Sequence, residues 1–120
     1  MAEQQTSGHL AVDSRSDAII ARFTRELDLT GPEAESAGSR LNSLLAQANK
    51  RPVLIDFGNV RILTSLMLGK LVVLGRAADT AGVRFGLFNL RNEVREIFEI
   101  TRLNLILRLY GSEDDALQES

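Results

Sequence analysis

One segment, residues 53–75, constrains the fold of this chain more than any other, because its hydrophobic period changes from that of a strand to that of a helix. The run from Val53 to Phe57 is almost continuously apolar, which is typical of a central strand covered on both faces. Gly58 and Asn59 follow as a turn signal. The next apolar residues recur at helical spacing, and we expect them to form the inward stripe of a helix: Leu68, Leu71, Val72 and Gly75.

Two hydroxyl side chains stand where this helix starts. If the helix begins near Leu66, Ser65 is its N-cap and its side-chain oxygen accepts a hydrogen bond from the first turn. If the helix begins one residue earlier, Thr64 is the cap instead. In both cases Ser65 lies beside free backbone N–H groups, so a functional hypothesis can be built on it.

Strands and helices alternate on both sides of this segment. Two short apolar runs, Leu10–Val12 and Ala18–Phe23, flank a polar turn and predict a hairpin. A helix is expected from Pro32 to about Asn49. After the helix that ends at Ala81-Gly82, the remaining predicted elements are a strand at Val83–Phe88, a helix at Arg91–Ile100, a strand at Leu105–Tyr110 and a short terminal helix.

This order predicts an α/β fold in a single layered domain, with a mixed sheet of about five strands, an N-terminal hairpin and about four helices. The chain of 120 residues is long enough for one such domain. The polar residues 1–9 are predicted to form a flexible tail, and residues 10–120 the domain.

Composition excludes several classes of function. The chain has no cysteine, and its one histidine, His9, lies in the polar tail, so thiolate catalysis and a Ser-His-Asp hydrolase are not expected. Neither phosphate-binding glycine motif occurs, and no metal or cofactor site is predicted. The net charge is −2, and basic and acidic residues are well mixed along the chain, which does not indicate nucleic-acid binding. Residues 66–74 form too short an apolar run for membrane insertion, and we expect a cytoplasmic, non-enzymatic protein.

The chain resembles the STAS family, the domain of bacterial anti-sigma factor antagonists, over roughly residues 10–117. The resemblance rests on the element order, on Glu26-Leu27-Asp28 before the first helix, and on the strand-turn segment Leu54–Val60. It also rests on Leu68-Gly69 and on the later unit that starts at Phe88-Asn89-Leu90 and contains Val94, Phe98, Thr101 and Leu103. It implies a STAS-like fold and a role in partner switching during transcription regulation.

In that family the turn commonly reads Asp-Ser-Ser-Gly-Leu-Gly, and the serine after the aspartate is phosphorylated by a kinase-type anti-sigma factor. Matched to this motif, Thr64 takes the aspartate position and Ser65 the phosphoserine position, while Leu68-Gly69 agree with the pattern. The resemblance implies that unmodified protein sequesters the anti-sigma factor and that phosphorylation of Ser65 releases it. Phosphorylation of Thr64 is the alternative, and the resemblance also implies a serine phosphatase as a further partner.

The helix that follows Ser65 is expected to supply the surface that contacts the partner. If Leu68 and its stripe face the sheet, a neighbouring stripe is partly exposed, and the predicted contact residues are Thr64, Ser65, Leu66, Met67, Lys70 and Leu74. For Leu74 the periodicity is equally consistent with burial. The resemblance also allows a different role, as a scaffold in a signalling assembly or as a small subunit of a lipid-transport complex. The sequence predicts neither a monomer nor a dimer.

Overall fold

The structure is a computed structural model that describes the backbone of residues 3–7 and all of residues 9–119. The strands are β1 (Glu3–Ser7), β2 (Leu10–Ser14), β3 (Ile19–Phe23), β4 (Leu27–Leu29), β5 (Val53–Asp56), β6 (Val60–Leu63), β7 (Phe85–Phe88) and β8 (Arg108–Tyr110). The helices are α1 (Gly31–Gln47), α2 (Ser65–Ala81), α3 (Asn92–Ile100) and α4 (Glu113–Gln118). A single turn of 3-10 helix, Leu103–Leu105, precedes β8.

Six strands form the main sheet in the order β1-β2-β3-β5-β7-β8. Strands β1, β2 and β3 pair antiparallel, and β3, β5, β7 and β8 pair parallel. The sheet is therefore mixed, with the predicted hairpin at one end and helical crossovers at the other. The α/β class, the hairpin and the four helices are confirmed.

Both faces of the central strands are covered, which explains their nearly unbroken apolar sequence. In β5, Val53 and Ile55 face the large core beneath α1, α2 and α3, whereas Leu54 faces a smaller cluster beneath α4. Strand β7 has a glycine on the α4 side because the Tyr110 ring of β8 lies over it. A Cβ on Gly86 would stand 2.5 Å from Cε2 of that ring.

The last turn of α2 is closed as its sequence predicts. Gly82 is the C-cap with a left-handed backbone, φ 71°, which a glycine adopts without the strain of a side chain. The N–H of Val83 donates to the carbonyl of Ala78 at 2.8 Å and directs the chain towards β7.

Three strands lie where no strand was predicted. Strand β1 falls in the segment predicted to be a flexible tail, and its backbone pairs with β2 from Glu3↔Ser14 to Ser7↔Leu10. The polar side chains of this segment gave no period, whereas strand pairing uses backbone groups that every residue carries. The flexibility of the tail stays a prediction. Residues 1, 2 and 8 of the predicted tail and residue 120 of the predicted domain lie outside the described residues.

The other two unpredicted strands, β4 and β6, pair parallel in a small sheet of their own, with Leu29 opposite Leu63. Strand β4 alternates over only three residues, which is too short a run to establish a period, and β6 has two exposed residues between two buried ones. This small sheet brings the chain before α1 against the chain before α2.

The last strand is shorter than predicted. The apolar run from Leu105 begins instead in the 3-10 turn, in which the N–H of Ile106 donates to the carbonyl of Leu103 at 3.0 Å. Leu105 and Ile106 are exposed rather than paired in the sheet. None of the helices in the described residues is both long enough and apolar enough to span a bilayer.

Candidate functional site

Helix α2 begins at Ser65, and its N-cap is Thr64 rather than the predicted Ser65. Thr64 has an extended backbone, φ −89° and ψ 164°, and its Oγ1 accepts a hydrogen bond from the N–H of Met67 at 3.4 Å. The alternative that placed the helix start one residue earlier is therefore correct. Ser65 is the first helical residue, and its hydroxyl does not cap the helix.

The reason that Thr64 caps the helix lies in β4. The Thr64 hydroxyl donates to the carbonyl oxygen of Leu29 at 3.2 Å, so it acts as donor and acceptor at once. A carboxylate at this position could accept from the helix but could not donate to Leu29. The Thr64 hydroxyl thus ties α2 to the small β4–β6 sheet.

Ser65 and Leu66 are both exposed at the start of α2, and Leu66 retains half of its accessible surface. No side chain in the described part of the chain hydrogen-bonds to the Ser65 hydroxyl. The first turn of α2 contains no acidic residue. A negatively charged group on Ser65 would therefore meet the positive end of the helix without a like charge in that turn.

Met67 was predicted to belong to an exposed contact surface, and this is wrong; for Leu74 the sequence left exposure and burial open, and the structure buries it. Met67 is completely buried and Leu74 nearly so, and together with Leu71 and Ala78 they form the inward face of α2. Leu68 and Val72, which were predicted to face the sheet, lie at the side of the inward face and are only partly buried. Helix α2 is apolar on almost every side, so its period did not determine which stripe faces the sheet.

The exposed side of α2 borders a groove of about 670 Å³ against α1, which we call the α1–α2 groove. Residues that line it from the two helices include Ser39, Asn42, Ser65, Leu66, Lys70 and Val73. Val73 is 66% exposed, so an apolar ridge runs from Leu66 along α2. Of the predicted contact residues, four line this groove, and Leu74 does so from its buried side: Ser65, Leu66, Lys70 and Leu74.

Lys70 links the two walls of the groove. Its Nζ lies 3.2 Å from Oε1 of Glu35 in α1, and about a quarter of its side chain is exposed. Its aliphatic stem packs over Gly38, where a Cβ would stand 3.1 Å from the Lys70 Cδ atom. The absence of a side chain at Gly38 lets the helices approach, and the ion pair at the rim contributes no more than about 1 kcal/mol.

Charged residues hold the turn that precedes the site. Arg61 donates from Nε and Nη2 to the two carboxylate oxygens of Asp28 at 2.9 and 3.2 Å. These hydrogen bonds lower the pKa of the Asp28 carboxyl. Arg91 donates to Glu26 at 2.7 Å and to the carbonyl of Gly58 at 3.0 Å. The hydrogen bond from Arg91 lowers the pKa of the Glu26 carboxyl. The motif residues Glu26 and Asp28 thus anchor β6 and the turn before it.

Asp56 has the turn role that the sequence favours over a catalytic one. Its Oδ1 accepts from the N–H of Gly58 at 2.8 Å, and its Oδ2 lies 3.3 Å from Nη1 of Arg22. Among the described residues, no three histidine or carboxylate side chains cluster as metal ligands do. The chemical group that the site offers is therefore the free hydroxyl of Ser65.

Sequence reasoning missed Leu29, Val73 and the wall supplied by α1. Leu29 contributes a backbone carbonyl, which leaves no side-chain signal. Val73 is hydrophobic and was not separated from the core residues around it. Only the spacing of Leu66, Gly69 and Val73, at i, i+3 and i+7, indicates that they share one side of the helix.

A family model identifies the family of this chain, and similar solved structures identify its fold. The family model of the STAS domain matches residues 9–116. An anti-sigma-factor antagonist (STAS) domain protein from Planctomyces limnophilus is 20% identical, with a TM-score of 0.77 over 90% of this chain and 94% of that one. A putative anti-sigma factor antagonist from Thermotoga maritima is 18% identical, with a TM-score of 0.77 over 89% and 90% of the two chains. The Bacillus cell fate determinant SpoIIAA in its phosphorylated form is 15% identical, with a TM-score of 0.60 over 98% and 96%. At these identities the structural likeness establishes the fold.

Proposed function

This chain belongs to the STAS domain family, and from that premise we propose that it is an anti-sigma factor antagonist whose binding is switched by phosphorylation of Ser65. The observation that carries the proposal is the free, exposed hydroxyl at the first residue of α2, beside the apolar ridge of the α1–α2 groove. The similar structures support it, since two of them bear the name of anti-sigma factor antagonists and a third was solved in a phosphorylated form.

Ser65 is a better phosphate acceptor than Thr64. A kinase must reach the hydroxyl oxygen and align it with the γ-phosphate of ATP. The Thr64 residue is half-buried, and its hydroxyl is hydrogen-bonded to both Leu29 and Met67. Transfer of a phosphate to this hydroxyl would therefore require the start of α2 to open. The Ser65 hydroxyl needs no such rearrangement.

The fold tolerates a phosphate on Ser65. The group carries about −1.5 to −2 charges, and at a helix N-terminus an anion gains roughly 0.3–1 kcal/mol from the dipole and the free N–H groups. Modification therefore changes the charge of the surface without unfolding the domain. The chain itself has no catalytic role in this proposal, because ATP and magnesium are used by the partner kinase.

The switch acts through the surface that a partner covers. An anti-sigma factor that packs on Leu66 and Val73 must also cover Ser65, which lines the same groove. Burying an unpaired phosphate costs at least several kcal/mol, and about 2.7 kcal/mol already corresponds to a hundredfold change in Kd. Unmodified protein would sequester the anti-sigma factor in the cytoplasm, phosphorylated protein would release it, and a serine phosphatase would reset the switch.

The first test identifies the modified residue. The protein is incubated with ATP and a kinase-type anti-sigma factor of the same organism, and phosphate is located by mass spectrometry. We expect phosphate on Ser65 and none on the Ser65→Ala variant. Phosphate on Thr64 would contradict the site assignment, and the absence of phosphate with every kinase-type anti-sigma factor of the organism would contradict the switch.

The second test measures binding by calorimetry with the same anti-sigma factor. We expect Ser65→Asp to weaken binding at least tenfold, since its carboxylate carries only part of the charge of a phosphate. Ser16→Asp is the matched control, because Ser16 is an exposed serine in the turn between β2 and β3. Equal affinity of the wild type and the phosphorylated protein would refute the mechanism.

A further inference from the structure

A second pocket, of about 130 Å³, lies on the other side of α1 from the α1–α2 groove. Ser36 and Arg40 line it from α1, and Leu10, Phe23 and Leu27 line it from β2, β3 and β4. At 3.6 residues per turn, residues 36 and 40 point to the side of the helix opposite residues 38 and 42, which face the groove. The pocket is therefore separate from the site around Ser65.

Arg40 brings an unpartnered charge into this pocket. Its Nε and Nη2 atoms are buried, and within the described residues no acceptor lies in hydrogen-bond range of either. A buried donor of a charged group that lacks a partner is unfavourable, and such groups in native proteins call for an explanation. The two orphaned atoms are on the same edge of the guanidinium.

That edge is the one with which arginine binds a carboxylate side-on, through two parallel N–H donors. Elsewhere in this chain, another arginine binds a carboxylate with the same two donors. Arg61 uses its Nε and Nη2 atoms to hold the two carboxylate oxygens of Asp28. Arg40 presents the same pair of donors inside a cavity, with no carboxylate opposite them in the described part of the chain.

We propose that this pocket, which we call the Arg40 pocket, binds a small monocarboxylate with a short apolar chain. The Nε and Nη2 donors of Arg40 would bind the carboxylate, and Ser36 offers a further hydroxyl donor. The alkyl chain of the ligand would pack against Leu10, Phe23 and Leu27. A dry cavity of about 150 Å³ holds benzene, which has six heavy atoms, so about 130 Å³ suits a carboxylate of the size of propionate or butyrate.

The apolar lining of the pocket favours a carboxylate with an alkyl chain over a phosphate. The exposed residue Glu33 also lines the pocket, and its negative charge opposes the entry of any anion. The repulsion from Glu33 and the attraction to Arg40 both grow with the charge of the ligand, so charge alone does not separate a phosphate from a carboxylate. Shape does, because phosphate has no apolar part to place against Leu10 and Phe23.

The test is a titration of the full chain followed by two-dimensional NMR of its backbone amides. We expect propionate to shift amides of residues 33–40 and 23–27 saturably, with a millimolar Kd. Propionamide, which has the same shape and no charge, should bind at least tenfold more weakly, as should phosphate. Arg40→Gln should weaken propionate binding by at least the same factor, whereas Arg95→Gln, which removes a guanidinium from α3 outside the pocket, should leave it unchanged.

Three outcomes would overturn the proposal. They are the absence of a saturable shift with propionate, equal affinity for propionate and propionamide, and phosphate binding more tightly than propionate at the same amides. The comparison of the three ligands uses only the wild-type chain, so it decides the matter even if Arg40→Gln does not fold. None of these outcomes depends on the state of Ser65.

Discussion

Replacing Thr64 by valine removes both hydrogen bonds of the side chain that begins α2 while it keeps the volume and the branching. We expect the free energy of unfolding to fall by about 1–2 kcal/mol. A capping bond contributes roughly 0.5–2 kcal/mol, and at 3.4 Å this one belongs to the lower half of that range. The bond to the Leu29 carbonyl, at 3.2 Å, adds about 0.5–1 kcal/mol.

An aspartate at position 64 separates the two bonds. It can still accept from the N–H of Met67, and its charge gains about 0.3–1 kcal/mol at the helix N-terminus. It cannot donate to Leu29, and it places a carboxylate oxygen against a carbonyl oxygen, which costs about 1–3 kcal/mol. The cost exceeds the gain, so we expect Thr64→Asp to be less stable than the wild type by about 1 kcal/mol. Thr64→Ser keeps both bonds and should lie within about 0.5 kcal/mol of the wild type.

Urea unfolding followed by circular dichroism measures these differences, with Thr64→Ser as the matched control. A loss of 1 kcal/mol should also lower the melting temperature by roughly 3–5 °C for a domain of this size. The reasoning would be refuted if Thr64→Val were as stable as the wild type, or if Thr64→Asp were more stable than Thr64→Ser. Either result would mean that the hydroxyl does not tie α2 to β4.

Three further predictions concern the core, the groove and the pH dependence. Met67→Ala should lower the free energy of unfolding, measured by urea unfolding, by about 2–5 kcal/mol, because the side chain is fully buried. Leu66→Ala should change it by less than about 0.5 kcal/mol, because Leu66 is half exposed. Similar losses for the two variants would contradict the assigned faces of α2. Gly69→Ala should stabilise the protein by about 0.5–1 kcal/mol, since a Cβ there meets no atom within 4 Å, and a lower melting temperature would argue against this. Because the folded pKa of Glu26 is lowered, its contribution to stability is present above the ordinary pKa of 4.5 and is lost as the pH falls through the lowered value. Arg91→Gln should raise the Glu26 pKa in a carboxyl NMR titration, and an unchanged pKa would show that the pair does not form in solution.

The elements with strong local signals were predicted well. The strand from Val53, the helix closed by Gly82 and the short terminal helix α4 all lie where the sequence indicates, and the Ser112 hydroxyl caps α4 by accepting from the N–H of Asp115. Each carries its own signal, whether an apolar run, a left-handed glycine or a capping hydroxyl. The short strands β4 and β6 carry none, because three or four residues are too few to establish a period.

The candidate site was predicted in part. Ser65 and Leu66 are exposed at a helix start, as expected, and Lys70 lines the same groove. The exposure of Met67 was predicted wrongly and that of Leu74 was left open, because a helix that is apolar all round does not reveal its inward face. Phosphorylation of Ser65 and the identity of the partner stay predictions.

By itself, the sequence determined the alternation of strands and helices, the place where strand becomes helix within residues 53–75, and the hydroxyl that stands there. These are local properties, set by periodicity and by turn and cap residues within a few positions of one another. The tertiary structure decided which hydroxyl is free, because Thr64 is bonded to a carbonyl 35 residues away and Ser65 is not. It also decided which side of α2 faces the solvent and left the Nε and Nη2 atoms of Arg40 without a hydrogen-bond partner among the described residues. Each of these depends on contacts between distant segments, for which the local pattern contains no signal.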